Sequence, residues 1–442
     1  MNFDSIGLSV PQILLPREDI DLNKWAVVAC DQYTSEPEYW NSVSDYVGET
    51  ASTLNMILPE IYLGSDEEPD KIKSIHQSMK DYLDQDVLVN HGPGFVLLDR
   101  KTAHQPSRKG LVVALDLEKY DYRPNSGSLI RATEGTILSR LPPRIRVRKD
   151  AVIESPHIMV LIDDPDQTVI EPLFNEDLPE IYNFDLMKES GRLVGYKIDK
   201  PELIQQIANR LERLSEPEQF SSRYSVGDRP PLLYAMGDGN HSLATAKAIW
   251  EELKQQDDID MDHPARYALV ELVNLHDPGL DFEAIHRVLF DVNPDNLIEV
   301  MEAHFEKTGS STTWIPTASF SEAASAADQS SSSQQRFAYI CSDKVGYFEV
   351  SNPTLTLETA TLQAFLDEYI ENNRSVEIDY VHGQNVVERL GKESNNAGFY
   401  LPAMSKHELF RTIILDGALP RKTFSMGEAD EKRFYVECRS II

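Results

Sequence analysis

The sequence predicts an α+β protein of mixed α/β pairing, not a regular doubly wound sheet. Short apolar runs bounded by proline or glycine alternate irregularly with segments of helical periodicity, which is the pattern of an α+β chain. A hydrophobic content of 41% against 26% charged residues is that of an ordinary globular chain. With 442 residues it is long enough for two or three domains and a sizeable core.

Taken in order, Trp25 to Cys30 reads as a buried strand, and Asp31 to Trp40 turns into a helical segment. A helix is expected at about 70–85 after the acidic loop Asp66 to Asp70. Gly94 to Asp99 and Gly110 to Leu117 read as a strand pair joined by a polar loop. Further strands are expected within Ala151 to Ile162, Thr168 to Leu173 and Leu178 to Ile198, followed by a helix over Pro201 to Leu214. Pro231 to Met236 reads as a buried strand, Ser242 to Gln255 as a helix, and Ala265 to Asn274 as a strand ending in a polar turn. Thr317 to Gln335, with four consecutive serines, is expected as an exposed linker, or as a short helix followed by a loop. These signals suggest a ligand-binding core over 1–290 and a C-terminal α+β region over 291–442 that contains the 317–335 loop.

The formal net charge of −31 sets nucleic acid aside as a general partner, because phosphate backbones are bound by basic surfaces. Three scattered cysteines form no disulfide framework or zinc motif, and the expected setting is the cytoplasm. No apolar run approaches the ~20 residues of a membrane span, so no membrane partner is expected.

The most telling segment is Gly237-Asp238-Gly239-Asn240-His241-Ser242, placed where the expected strand turns into a helix. Free N–H groups and the positive end of the helix dipole suit such a place to phosphate. Gly239 lets phosphate approach, Asn240 and Ser242 offer polar contacts, and His241 is a candidate catalytic donor. Asp238 is a candidate proton acceptor and ligand for Mg²⁺. Asn240 alternatively only caps the helix.

A second segment combines Ser126, Ser128, Arg131 and Thr133, suited to phosphate contact, with the basic island Arg140 to Lys149. Arg144 is the island's candidate substrate contact; alternatively Arg144, Arg146 and Arg148 form the exposed face of a strand. Asp31, ending its apolar run, is a candidate general base or metal ligand, or alternatively only a capping acid. His286 and Arg287, near Glu283 at helical spacing, and Arg421 and Lys422 in a late basic turn, complete the candidate substrate contacts. The signatures of P-loop kinases, Rossmann dehydrogenases and zinc hydrolases are missing from the sequence.

The stretches from Trp25 to Trp40, Ser126 to Thr136 and Met236 to Ala246, with Ile285-His286-Arg287, together resemble the DUF1015 family over about residues 8 to 440. This chain is similar to the branch that reads DGNHS where other members read DGHHR, which leaves the arginine's phosphate contact to Ser242 or to the 140–149 island. The DG-x-H motif also resembles the phosphate motif of the ParB/sulfiredoxin-like superfamily, which includes a nucleotide-dependent free-serine kinase. That resemblance implies a ParB/sulfiredoxin-like core with α+β elaborations, and ATP or ADP with Mg²⁺ as cofactors. The function so implied is phosphoryl transfer to a small polar metabolite, serine or phosphoserine first. Phosphomonoester hydrolysis and non-catalytic nucleotide or metabolite binding are the alternatives.

Overall fold

A computed structural model describes residues 1–294 and 296–442. It is mixed α/β and divides into two compact units, one of residues 1–280 with 427–442 and one of residues 281–426. The first therefore takes back the end of the chain after the second is complete, whereas the sequence suggested a single boundary at 290.

Unit 1 is built on an 11-stranded mixed sheet. Its centre runs from Arg192–Ile198 through Phe95–Lys101, Arg108–Asp116, Tyr267–Asn274 and Met159–Ile162 to Tyr234–Asp238. The expected strand pair at 94–117 is an antiparallel ladder, and Met159–Ile162 lies parallel to Tyr267–Asn274. Alternation of side chains divides each central strand between two cores. Phe95 and Leu97 pack on one face with helices Pro201–Leu214 and Asn240–Leu253, and Val96 and Leu98 pack on the other with helices Pro37–Val47 and Glu68–Asp84. Both faces are thus covered, which explains the nearly unbroken apolar runs of these strands.

Four local expectations in unit 1 are corrected. Residues 25–29 are buried and Cys30 partly so, but 25–30 is not a regular strand: Val28 makes a single bridge to Phe434, and the amides of Ala29 and Tyr435 add bonds to Arg433 and Val27 carbonyls. Residues 168–173 carry no strand, and a 3₁₀ turn, Glu171–Asn175, replaces it. Arg144, Arg146 and Arg148 lie on a helix, Leu141–Arg148, opened by Pro142 and Pro143, which suit a first helical turn. The helix by the glycine turn starts at Asn240, two residues earlier than its apolar spacing indicates.

Unit 2 is a 6-stranded antiparallel sheet with helices packed on it. The 317–335 segment is not an exposed linker but follows the alternative, a short helix and then a loop: the helix is Phe320–Ala327, whose Phe320, Ala323 and Ala327 are core residues. Residues 283–287 are not helical but belong to strands Phe282–Ala284 and His286–Phe290. The first of these pairs with Phe424–Met426, and Phe282 stacks on Phe424 at 4.3 Å between ring centres. The two ends of unit 2 are therefore zipped together.

Candidate functional site

The site grows from the end of strand Tyr234–Asp238. Gly239 has φ of +78°, and a Cβ there would lie 3.1 Å from the Ile158 Cα, so the turn requires glycine. Gly239, not Asn240, takes the N-cap position of helix Asn240–Leu253, and no side chain caps the first turn. The helix start therefore presents uncapped N–H groups and its positive dipole end. Asn240 Oδ1 is buried without a hydrogen-bond partner, as is Thr136 Oγ1, the neighbour of Ile137, whose amide meets His241. Buried polar atoms are seldom left unpaired, so these two suit a polar ligand.

Asp238 accepts from the Gly239 amide at 2.8 Å and faces Lys432 Nζ at 3.3 Å. Burial opposes its charge, but Lys432 and His157 outweigh burial and hold its carboxyl below the usual range. His241 accepts from the Ile137 amide at 3.4 Å. Burial, and then the charges of Arg144 and Arg140, push its imidazole down to about 4 against an opposing pull from Asp31, so it is neutral at pH 7. Ser242 Oγ lies 2.8 Å from His157 Nε2, and His157 Nδ1 lies 3.1 Å from the Tyr435 hydroxyl. That hydroxyl in turn accepts from the Cys30 amide at 3.0 Å.

Beside the helix start lies a cavity of about 140 Å³. Met56, Leu58, Met79 and Val147 make much of its apolar lining, while Glu60, Arg144, His157, Ser242 and Tyr435 supply its polar wall. Glu60 is ion-paired with Arg144. Burial raises its carboxyl; Arg144 works against that rise, and the charge of Asp31 adds to it. Asp31, held by Gln32 Nε2 at 2.9 Å, is thus within electrostatic reach of both Glu60 and His241. Burial pushes the neighbouring Cys30 thiol far up, which leaves it inert as a nucleophile.

Asp31, Arg144, Asp238, His241 and Ser242, together with Gly239 and Asn240, therefore fall around one place. The basic island is largely spent on acids: Arg144 pairs with Glu60, Arg146 with Glu68, Arg148 with Glu154 and Lys149 with Glu252. Arg131 is buried and used as a staple, donating to the carbonyls of Ser128 and Pro230 at 2.8 Å each and of Pro231 at 3.2 Å. Ser126 Oγ accepts from the Ser128 amide at 3.1 Å within the same turn, and Thr133 is buried. None of these four residues lines the cavity.

The other candidates belong to unit 2. His286 stacks on Tyr400 at 4.5 Å and accepts from the Leu401 amide at 3.2 Å. Arg287 is wholly buried and donates to Gln363 Oε1 at 3.2 Å and to the Ile285 carbonyl. Arg421 donates to the Tyr380 hydroxyl at 3.1 Å, and Lys422 sits in a left-handed turn at φ +58°.

The Mg²⁺ expectation at Asp238 meets an engaged carboxylate, and among the described residues no group of three or more His, Cys, Asp or Glu is disposed to hold a metal.

Sequence reasoning missed Glu60, His157, Lys432 and Tyr435. Glu60 and His157 each follow a proline within an apolar stretch, a signal that was there to be read. Lys432 and Tyr435 had no local signal, because the contacts that bring them to the site, with Asp238 and with Cys30 and His157, are remote in sequence.

No curated protein sequence matches the chain. Among solved structures, a free serine kinase in complex with AMP is similar at 13% identity and a TM-score of 0.39, over 75% of this chain and 92% of that one. A conserved hypothetical protein from Pyrococcus furiosus gives 13% identity and a TM-score of 0.35, over 75% of this chain and 94% of that one. A C-terminally truncated SbnI from Staphylococcus aureus gives 11% and 0.34, over 72% of this chain and 82% of that one. The family model described as a protein of unknown function, DUF1015, matches residues 14–369, in both units, and the chain belongs to that family.

Proposed function

We propose that unit 1 transfers a phosphoryl group from a nucleotide, ATP or ADP, to the hydroxyl of a small polar metabolite, with serine the first candidate. The carrying observation is that a carboxylate of raised proton affinity, Glu60, lines the same cavity as Ser242 in the first turn of an uncapped helix. The helix start receives the phosphates through its N–H groups. Arg144 and Lys432 supply positive charge, each held in place by a carboxylate, Glu60 and Asp238 respectively. Phosphoryl transfer asks mainly for such positioning and charge balance. Glu60 accepts the proton of the attacking hydroxyl, a role that its raised pKa suits better than an ordinary surface carboxylate. Neutral His241 offers a polar contact without adding charge.

The test is a coupled assay with ATP or ADP as donor and serine as acceptor, run on the wild type and Glu60→Gln. The variant is expected to keep nucleotide-induced thermal stabilisation and to lose on the order of 10²–10⁴ in kcat. Unchanged turnover in Glu60→Gln would remove Glu60 as the base. Release of inorganic phosphate from phosphoserine without nucleotide would move the assignment to a hydrolase.

A further inference from the structure

We infer that Ser242 is a nucleophile that carries the phosphoryl group as a phosphoserine between donor and acceptor. This rests on the phosphoryl-transfer reading above and adds a covalent step to it. The geometry is that of an activated hydroxyl: nucleophile and base are within hydrogen-bond reach, and a third group orients the base. Ser242 Oγ and His157 Nε2 are 2.8 Å apart, and the Tyr435 hydroxyl holds His157 Nδ1 at 3.1 Å. Tyr435 is itself fixed by the Cys30 amide at 3.0 Å, and its ring meets the imidazole edge-on at 5.6 Å. Ser242, His157, Tyr435 and Arg144 all line the one cavity. A serine placed only to serve the helix would bond back to the chain. Thr245 does so, donating to the His241 carbonyl at 2.7 Å, whereas Ser242 is turned to an imidazole.

Two displacements follow. In the first, Ser242 Oγ attacks the terminal phosphorus of the nucleotide and its proton passes to His157 Nε2. The new Oγ–P bond forms as the P–O bond to the shortened nucleotide breaks, and the nucleotide leaves with that electron pair. In the second, the acceptor hydroxyl gives its proton to Glu60 and attacks the phosphoserine. The Oγ–P bond then breaks, and Oγ recovers the proton held by His157. Arg144 and the helix dipole balance the charge of the intermediate.

The experiment incubates the full chain with ATP or ADP radiolabelled at the terminal phosphate, quenches it in acid and maps the label by tandem mass spectrometry. The expected result is up to one acid-stable phosphoryl group per chain, on Ser242, absent from Ser242→Ala and formed on the order of 10²-fold more slowly in His157→Gln. Stereochemistry gives a readout that needs no variant: ATP chiral at its terminal phosphorus should yield product with net retention. Inversion, or product formation at the wild-type rate by Ser242→Ala, overturns the covalent step and leaves the phosphoryl-transfer reading standing. Absence of both label and product in the wild type removes the two together.

Discussion

Two histidines with the same depressed proton affinity, about 4, stand in different relations to function. Burial is the chief cause in both; His241, at the helix start, is held down further by Arg144 and Arg140, and His286, inside unit 2, by Arg287 and His382. For His286 the native state refuses a proton that the unfolded chain accepts near pH 6.5. Its contribution to stability is therefore intact above pH 6.5 and is lost as pH falls toward 4, by about 3 kcal/mol at most. His286→Gln, which keeps an acceptor for the Leu401 amide, is expected to flatten that decline in melting temperature; parallel wild-type and variant profiles would contradict it. At this scale the sequence was legible where residues are contiguous, as in Asp238 to Ser242. It misled at Arg131, because a guanidinium's donors are satisfied as well by the carbonyls of Ser128, Pro230 and Pro231 as by a phosphate.

Among the elements, the strand–turn–helix at 234–253 depends on its two glycines to different degrees. A Cβ at Gly237 would meet Leu161 Cγ at 3.1 Å and the Met159 carbonyl at 3.3 Å without a positive φ, but at Gly239 it would meet the Ile158 Cα at 3.1 Å with φ at +78°. Gly239→Ala is therefore expected to cost about 1–3 kcal/mol and to weaken nucleotide binding, and Gly237→Ala to cost less. Urea unfolding of the two variants orders these costs, and equal midpoints would contradict the argument. The long periodic elements were legible here, notably the 95–116 strand pair and the 201–214 helix. Arg144, Arg146 and Arg148 alternate with Ile145 and Val147 at a period of two, yet Pro142 and Pro143 start a helix there. Each arginine reaches a different acid, Glu60, Glu68 and Glu154, none of them adjacent in sequence. Residues 25–30 read as a strand from their apolarity, but their partners at 433–435 offer only scattered bonds, so burial came without a ladder.

For the whole molecule, the return of 427–442 into unit 1 is anchored by buried charge. Arg433, 4% exposed, reaches Glu271 and Glu437, and Tyr182 donates to the same Glu437. Arg433→Ala strands two buried carboxylates and is expected to cost about 3–5 kcal/mol, read by urea unfolding; a loss below about 1 kcal/mol would show that the tail is held by other means. None of this was legible locally, because a tail of mixed composition gives no hint that Arg439–Ser440 pairs with Ile153–Glu154 and that the tail supplies Lys432 and Tyr435. The pairing of 282–284 with 424–426 bears on how that tail finds its place. The entropy lost in closing a loop grows with the logarithm of its length, so a detour through all of unit 2 would handicap the search. Once the two ends of unit 2 are zipped, the detour shrinks to a short hop for the chain that follows. Folding of unit 2 thus becomes the event that delivers Tyr435 to its imidazole, and a mutation that unzips Phe282 from Phe424 would slow the appearance of activity during refolding more than it lowers the activity finally reached.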